Sequence, residues 1–189
     1  MSTNRSTNED YNTTELAEVL PGLWLGGLKA LKEIGTIARS WTVISVLQSA
    51  QSRDFAQRCL NEIESDSVRI EKRVVWELPD RSQAEFLSNR LDDILNIIDS
   101  VILTFSKKDY PRACLVHCAF GISRSASVVA AWLLSRRKVN TLEEAMEILR
   151  SVRPKVSPNM GFVAMLRALE QCDGNVVAAI ERMKMEGID

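Results

Sequence analysis

The apolar positions of this chain change rhythm several times. From Leu16 short runs dominate: LWLGG (Leu23–Gly27) reads as a strand entering a turn, and TVISVL (Thr42–Leu47) as a buried, β-branched strand. A polar segment around Asp54–Ile63 predicts a helix. VRIEKRVVWEL (Val68–Leu78) holds a strand whose best section is VVWEL. Leu87, Leu91, Ile94, Leu95, Ile98, Val101, Ile102 and Phe105 then recur at three-to-four spacing, the mark of an amphipathic helix from about Glu85 to Phe105. SKKDYPR (Ser106–Arg112) is a loop, and ACLVHC (Ala113–Cys118) an apolar strand.

ISRSASVVAAWLLSRR (Ile122–Arg137) is apolar on nearly every side from Ala126 to Leu134, which places a helix in the middle of a domain. Thr141 and Glu144 stand at capping-box spacing and open another helix. Ser157 is the expected cap of the next, with Pro158 at its first position. DGNVVAAIERM (Asp173–Met183) makes a last short helix. Strands alternating with helices indicate one α/β domain, a central mostly parallel sheet flanked by helices. Residues 1–15 read as a disordered polar tail, 16–172 as the folded domain and 173–189 as a C-terminal helix or tail.

Composition narrows the function classes. The 189 residues are 46% hydrophobic, enough for a sizeable core. Lys and Arg number 24 against 25 Asp and Glu, a net charge of −1, so no global basic field draws the chain to nucleic acid or membrane. An anionic substrate would have to be attracted locally. The opening MSTNRSTNEDYNTTE has no apolar core of a signal peptide, and Ser follows Met1, so neither secretion nor myristoylation is expected. No apolar run approaches the roughly 20 residues needed to span a bilayer. The four cysteines show no CxxC spacing, which suits a reducing compartment, the cytoplasm or the nucleus.

The chemistry concentrates in LVHCAFGISRSAS (Leu115–Ser127). His117 and Cys118 end a buried strand, Ala119–Ser123 form a loop, and Arg124 lies in the first turn of the buried helix. Ligands of α/β sheets bind at the C-terminal strand ends, and a helix start there offers free N–H groups and a positive dipole end. A short loop of converging N–H groups is an anion nest, with Gly121 permitting the tight path. The field that holds a phosphate-sized anion also stabilises a thiolate at Cys118. Arg124 offers a planar fork to two oxygens, and Ser125 a hydroxyl able to donate to sulfur. Of the four cysteines only Cys118 has an arginine six positions on; the others have Ser65, Phe120 and Ala178.

Transfer to a thiol also needs an acid for the leaving oxygen. His117 precedes the nest and is expected to point into the core, satisfied by backbone, with a secondary role orienting the loop. Asp109 enters the strand from the wrong edge of the sheet, and Asp92, Asp93 and Asp99 read as solvated residues on a helix. Asp80 follows VVWEL and Pro79, and the crossover from that strand to ACLVHC makes the two parallel. Asp80 can therefore overhang Cys118.

LPGLWLGG, LPD with its following helix, HCAFGISRS and RSVRPKVSPNMGF together resemble the cysteine-dependent dual-specificity phosphatases of the protein tyrosine phosphatase superfamily, from roughly Leu20 to Leu169. The resemblance implies Cys118 as nucleophile forming a phosphocysteine, Arg124 as phosphate clamp, and Asp80 as acid and then base. Ser125 would ease departure of the thiolate, and Asn159 would brace the phosphate loop of Ala119, Phe120, Gly121, Ile122, Ser123 and Arg124. It implies a phosphorylated protein substrate, no metal and no organic cofactor. The loop carries no lysine, unlike phosphoinositide phosphatases related to the tensin homologue, and neither a kinase-docking domain nor a glucan-binding module is seen, as in small, atypical members.

Three other readings stand beside it. One is a phosphatase of lipid, RNA or carbohydrate phosphate, and another a weakly catalytic phosphoprotein-binding module. The third is a ubiquitin-associated domain, echoed by Met160–Phe162 and DGNVVAAIERM but with too few residues between them for three helices. Cys114 and Cys59 are either inert core residues, the favoured reading, or oxidation partners of Cys118.

Overall fold

In a computed structural model the residues described are 15–38, 40–65, 67–80, 86, 88–103 and 112–187. Five strands form one sheet: β1 (Leu16–Leu20), β2 (Leu23–Gly26), β3 (Ser40–Leu47), β4 (Arg69–Glu77) and β5 (Arg112–His117), in the order β1-β2-β5-β3-β4. Among the described strand pairs of this sheet only β1–β2 is antiparallel. β2 with β5, β3 with β5 and β3 with β4 are parallel. The sheet is therefore mostly parallel, as the alternation of strand and helix patterns requires.

β3 lies inside the sheet between β5 and β4, and all eight of its residues are buried. Its side chains alternate between two cores, as the period of two dictates. Trp41, Val43 and Leu47 face one side, packing with Ala56, Cys59 and Leu60 of α1 (Ala50–Ile63) and with Ala30, Leu31 and Ile34 of two short 3-10 turns. Ile44 and Val46 face the other side and a larger core built from five helices. These are α2 (Asn89–Ile102), α3 (Arg124–Ser135), α4 (Leu142–Val152), α5 (Met160–Gln171) and α6 (Val176–Met185). Every residue of α3 from Arg124 to Leu134 is buried, so its apolar circumference did mean a central helix.

Several sequence expectations need correction. Asp99 is not simply solvated: it accepts from Trp132 Nε1 at 2.8 Å and Arg136 Nε at 2.6 Å, pinning α2 to α3. Thr141 and Glu144 form the expected capping box, but Ser157 does not cap α5. Asn159 does, its Oδ1 accepting from Phe162 N–H at 2.9 Å, because the chain stays extended through Pro158. α6 is part of the domain core through Val176, Ala179 and Met183. Phe162 is fully buried against Phe86, which fixes the MGF sequence inside the domain and removes the ubiquitin-associated reading. β1 and the 3-10 turns, too short for a periodic signal, are additions to the sequence picture. Asp109 and Phe105 lie outside the described residues, as does Leu87.

Candidate active site

β3, β4 and β5 run parallel, so their C-terminal ends share one edge. Two chains leave from that edge. One follows β5 into Cys118, and the other follows β4 through Leu78 and Pro79 to Asp80.

The loop Cys118–Ser123 has each of its six carbonyls held by a donor. Cys118 O faces His117 Nδ1 at 3.3 Å, and Ala119 O accepts from Leu28 N–H at 3.1 Å. Phe120 O accepts from Arg153 Nη2 at 2.9 Å and Gly121 O from Arg153 Nε at 2.8 Å. Ile122 O takes Ser157 N–H at 3.0 Å, and Ser123 O takes Ser127 N–H at 2.8 Å and its hydroxyl at 2.9 Å. A trans peptide points its N–H away from its C=O. Fixing the oxygens on the outside therefore turns the N–H groups toward the sulfur, and Gly121 N–H reaches Cys118 Sγ at 3.2 Å. Gly121 itself has φ +68°, and an added Cβ would lie 2.5 Å from the Gly26 carbonyl carbon, so only glycine fits.

Ser123 occupies the N-cap of α3 yet makes no side-chain cap. Its hydroxyl instead donates to Asp80 Oδ1 at 2.7 Å and accepts from Asn159 N–H at 3.2 Å. The first-turn N–H groups of α3 thus keep no serine cap, and remain available to an anion over the loop. Asn159 completes the arrangement, its Nδ2 donating to Asp80 O at 2.7 Å and Asp80 Oδ1 at 3.0 Å. Asn159 thus meets the loop through its backbone N–H and Asp80 through its side chain.

Arg124 is buried, not on the surface. Its Nη1 donates to Leu78 O at 3.4 Å, and its Nε lies 3.9 Å from Asp80 Oδ2. Nε has no hydrogen-bond acceptor among the described residues. A buried guanidinium with a free donor beside an N–H-lined loop is suited to a tetrahedral oxyanion.

The sulfur feels opposing influences. Burial would raise the Cys118 pKa, but the Ser125 hydroxyl at 3.2 Å, the backbone N–H groups of Ser125 and Phe120, and the charge of Arg124 together hold it below the ordinary thiol value. Cys114 has no such compensation, and burial pushes it up to about 12. It stands four residues back along an extended strand, roughly 13 Å from Cys118, beyond the 7 Å or so that a disulfide can bridge. Cys59 packs in the core on the opposite face of the sheet. Both are buried, free core thiols.

His117 is fully buried, and burial drives its pKa down to about 4. A carbonyl can only accept, so Nδ1 carries the hydrogen toward Cys118 O, and Nε2 accepts from Ser45 Oγ at 2.7 Å. The partner is thus a side chain as well as backbone.

The structure brings together Cys118, Arg124, Ser125, Asp80, Ser123, Gly121, His117 and Asn159. Ala119, Phe120 and Ile122 join through their backbone, and the Phe120 side chain is 72% exposed. Sequence reasoning missed Arg153, which is buried and also meets Glu15 O and Oε2, each at 3.1 Å. It missed Ser45 as well. Neither carries a spacing signal, because each reaches the loop from a distant segment.

Comparisons with known proteins give the family and the fold. Residues 40–172 match the family model of the dual specificity phosphatase catalytic domain. The chain is 28% identical over 170 residues to dual specificity protein phosphatase 1 of Arabidopsis thaliana, covering 87% of this chain and 73% of that one. It is 33% identical over 153 residues to dual specificity protein phosphatase 12 of Mus musculus, covering 81% of this chain and 40% of that one. Its fold is similar to the crystal structure of human DUSP28, with a TM-score of 0.64, 23% identity, and coverage of 84% and 94%. The chain is a phosphatase belonging to the dual specificity phosphatase family.

Proposed function

We propose that this protein hydrolyses phosphotyrosine and phosphoserine or phosphothreonine in proteins through a phosphocysteine at Cys118. The observation that supports it is Cys118 Sγ, held below the usual thiol range, facing the same loop as the buried Arg124. In the first step the thiolate attacks phosphorus, the P–O bond to the substrate breaks, and the departing oxygen takes a proton from Asp80. In the second, Asp80 accepts a proton from water, water oxygen bonds to phosphorus, and the S–P bond breaks. Ser125 Oγ donates to the sulfur as it leaves with the electron pair. Loop N–H groups and Arg124 hold the three non-bridging oxygens throughout, where charge is spread in the transition state. His117 and Asn159 position the loop. The cytoplasm or nucleus is the proposed setting.

The test compares the transfer step in Asp80→Asn across leaving groups. A general acid contributes about 10²–10⁴-fold when the leaving oxygen needs a proton. Phosphoserine, with its poor alkoxide leaving group, should lose most, phosphotyrosine less, and nitrophenyl phosphate least. Cys118→Ser should abolish all three, and rapid quenching should trap phosphate on Cys118. Equal losses across the series would remove Asp80 as the acid. A panel adding phosphoinositides and RNA 5′-triphosphate tests the substrate class, and turnover of those two alone would replace it. The uncharged side chains of Ala119, Phe120 and Ile122 favour the protein substrate.

A further inference from the structure

Beside the phosphate loop, on its outer side, opens a cleft of about 410 Å³. Its size lies at the small end of the range for ligand pockets, enough for part of a peptide. Leu28, Phe55 and Ile122 supply apolar lining, and the exposed Phe120 stands over it. Leu28 is fixed against the loop by its N–H bond to Ala119 O, so the cleft and the cradle share a wall.

The charge around this cleft is one-sided. Arg153 and Glu15, both in its lining, neutralise each other at 3.1 Å. Lys29 and Lys155 are also lining residues and exposed, and neither has a carboxylate within ion-pair distance among the described residues. Two cations with no ion-pair partner among the described residues, beside an apolar floor, form a local field complementary to an acidic group. The exposed Phe120, two residues after Cys118, adds apolar area to the rim of the cleft.

We propose that this cleft is a second recognition site for the substrate, seating an apolar side chain two to four residues from the phosphorylated one, with a neighbouring acidic residue held by Lys29 and Lys155. The spacing follows because loop residues form one wall of both sites, a distance spanned by about two to four residues of extended chain at about 3.3 Å each. The proposal rests on the phosphoprotein reading above. Selectivity then comes from residues flanking the phosphate, while the phosphate itself is read by the backbone of the loop.

The experiment uses the full chain, Lys29→Glu/Lys155→Glu and Phe55→Ser. Substrates are nitrophenyl phosphate, too small to reach the cleft, and phosphotyrosine peptides in which one Phe is walked from four residues before to four after, with Glu or Ser beside it. Vesicles containing a phosphoinositide form the third arm. In the unaltered protein one Phe position should raise kcat/KM roughly tenfold, through KM, and Glu beside it should add about three- to tenfold. The double lysine variant should invert the Glu effect, Phe55→Ser should erase the Phe effect, and both should keep nitrophenyl phosphate turnover within about twofold. The proposal is overturned if peptides are cleaved with no preferred Phe position, if the Glu-to-Ser ratio survives the lysine changes, or if those changes depress only vesicle hydrolysis. Turnover of nitrophenyl phosphate with no cleavage of any phosphopeptide would sink the protein-substrate reading as well.

Discussion

Acidification should strike this protein through its single histidine. His117 is fully buried, and its pKa falls from 6.5 to about 4 because burial disfavours the imidazolium. The unfolded chain binds a proton there near pH 6.5, whereas the folded chain resists until about pH 4. Between those values the unfolded state holds more protons, so folding stability falls as pH falls. At about 1.4 kcal/mol for each tenfold change, the whole interval amounts to about 3 kcal/mol. Below pH 4 both states are protonated and this contribution no longer changes. Hydrogen bonding adds little to the loss, since the Ser45 hydroxyl can rotate from donor to acceptor when Nε2 gains a proton. The cost is that of a charge without solvent. Denaturant unfolding at steps from pH 7 to pH 4, run beside His117→Gln, isolates the effect as a difference of slopes. One histidine also means one pair of imidazole C–H resonances, so proton NMR reads the titration directly. A folded-state midpoint near 6.5, or equal pH slopes for the two proteins, would refute the reasoning.

At pH 6, iodoacetate should alkylate Cys118 before Cys114 or Cys59, with inactivation in step and inorganic phosphate protecting; peptide mapping that finds Cys114 or Cys59 modified first would contradict it. Arg153→Met should leave the Phe120 and Gly121 carbonyls without their shared donor, lowering stability by about 1–3 kcal/mol. Its loop N–H groups would no longer converge, so the pH profile of Cys118 alkylation should move upward; an unmoved profile would confine Arg153 to stability.

The legible parts of this molecule were those carried by local pattern. The apolar circumference of Ala126–Leu134 announced a central helix, and α3 is buried from Arg124 to Leu134. Cys118, Arg124 and Ser125 were readable because a loop and one helical turn set their spacing. Asp80 could be placed only through topology, since β4 and β5 both run parallel to β3. Arg153 was silent because its contacts at Gly121, Phe120 and Glu15 join segments far apart in sequence. Asp99 misled for a related reason: on its own helix it looks solvated, and only α3 supplies Trp132 and Arg136.

The donors around the phosphate loop set a lower bound on how much chain a working unit needs. The matched segment 40–172 contains Cys118, Arg124 and Asp80 but leaves out three supports of the loop. It lacks β2, which completes one side of β5, and Leu28, whose N–H holds the Ala119 carbonyl. It also lacks Glu15, the counter-ion of Arg153. A chain shortened to those limits would keep every reacting atom while exposing the strand edge that leads to Cys118. The recognisable segment is shorter than the folded unit around the loop, and the difference holds a strand partner, a backbone donor and a counter-ion.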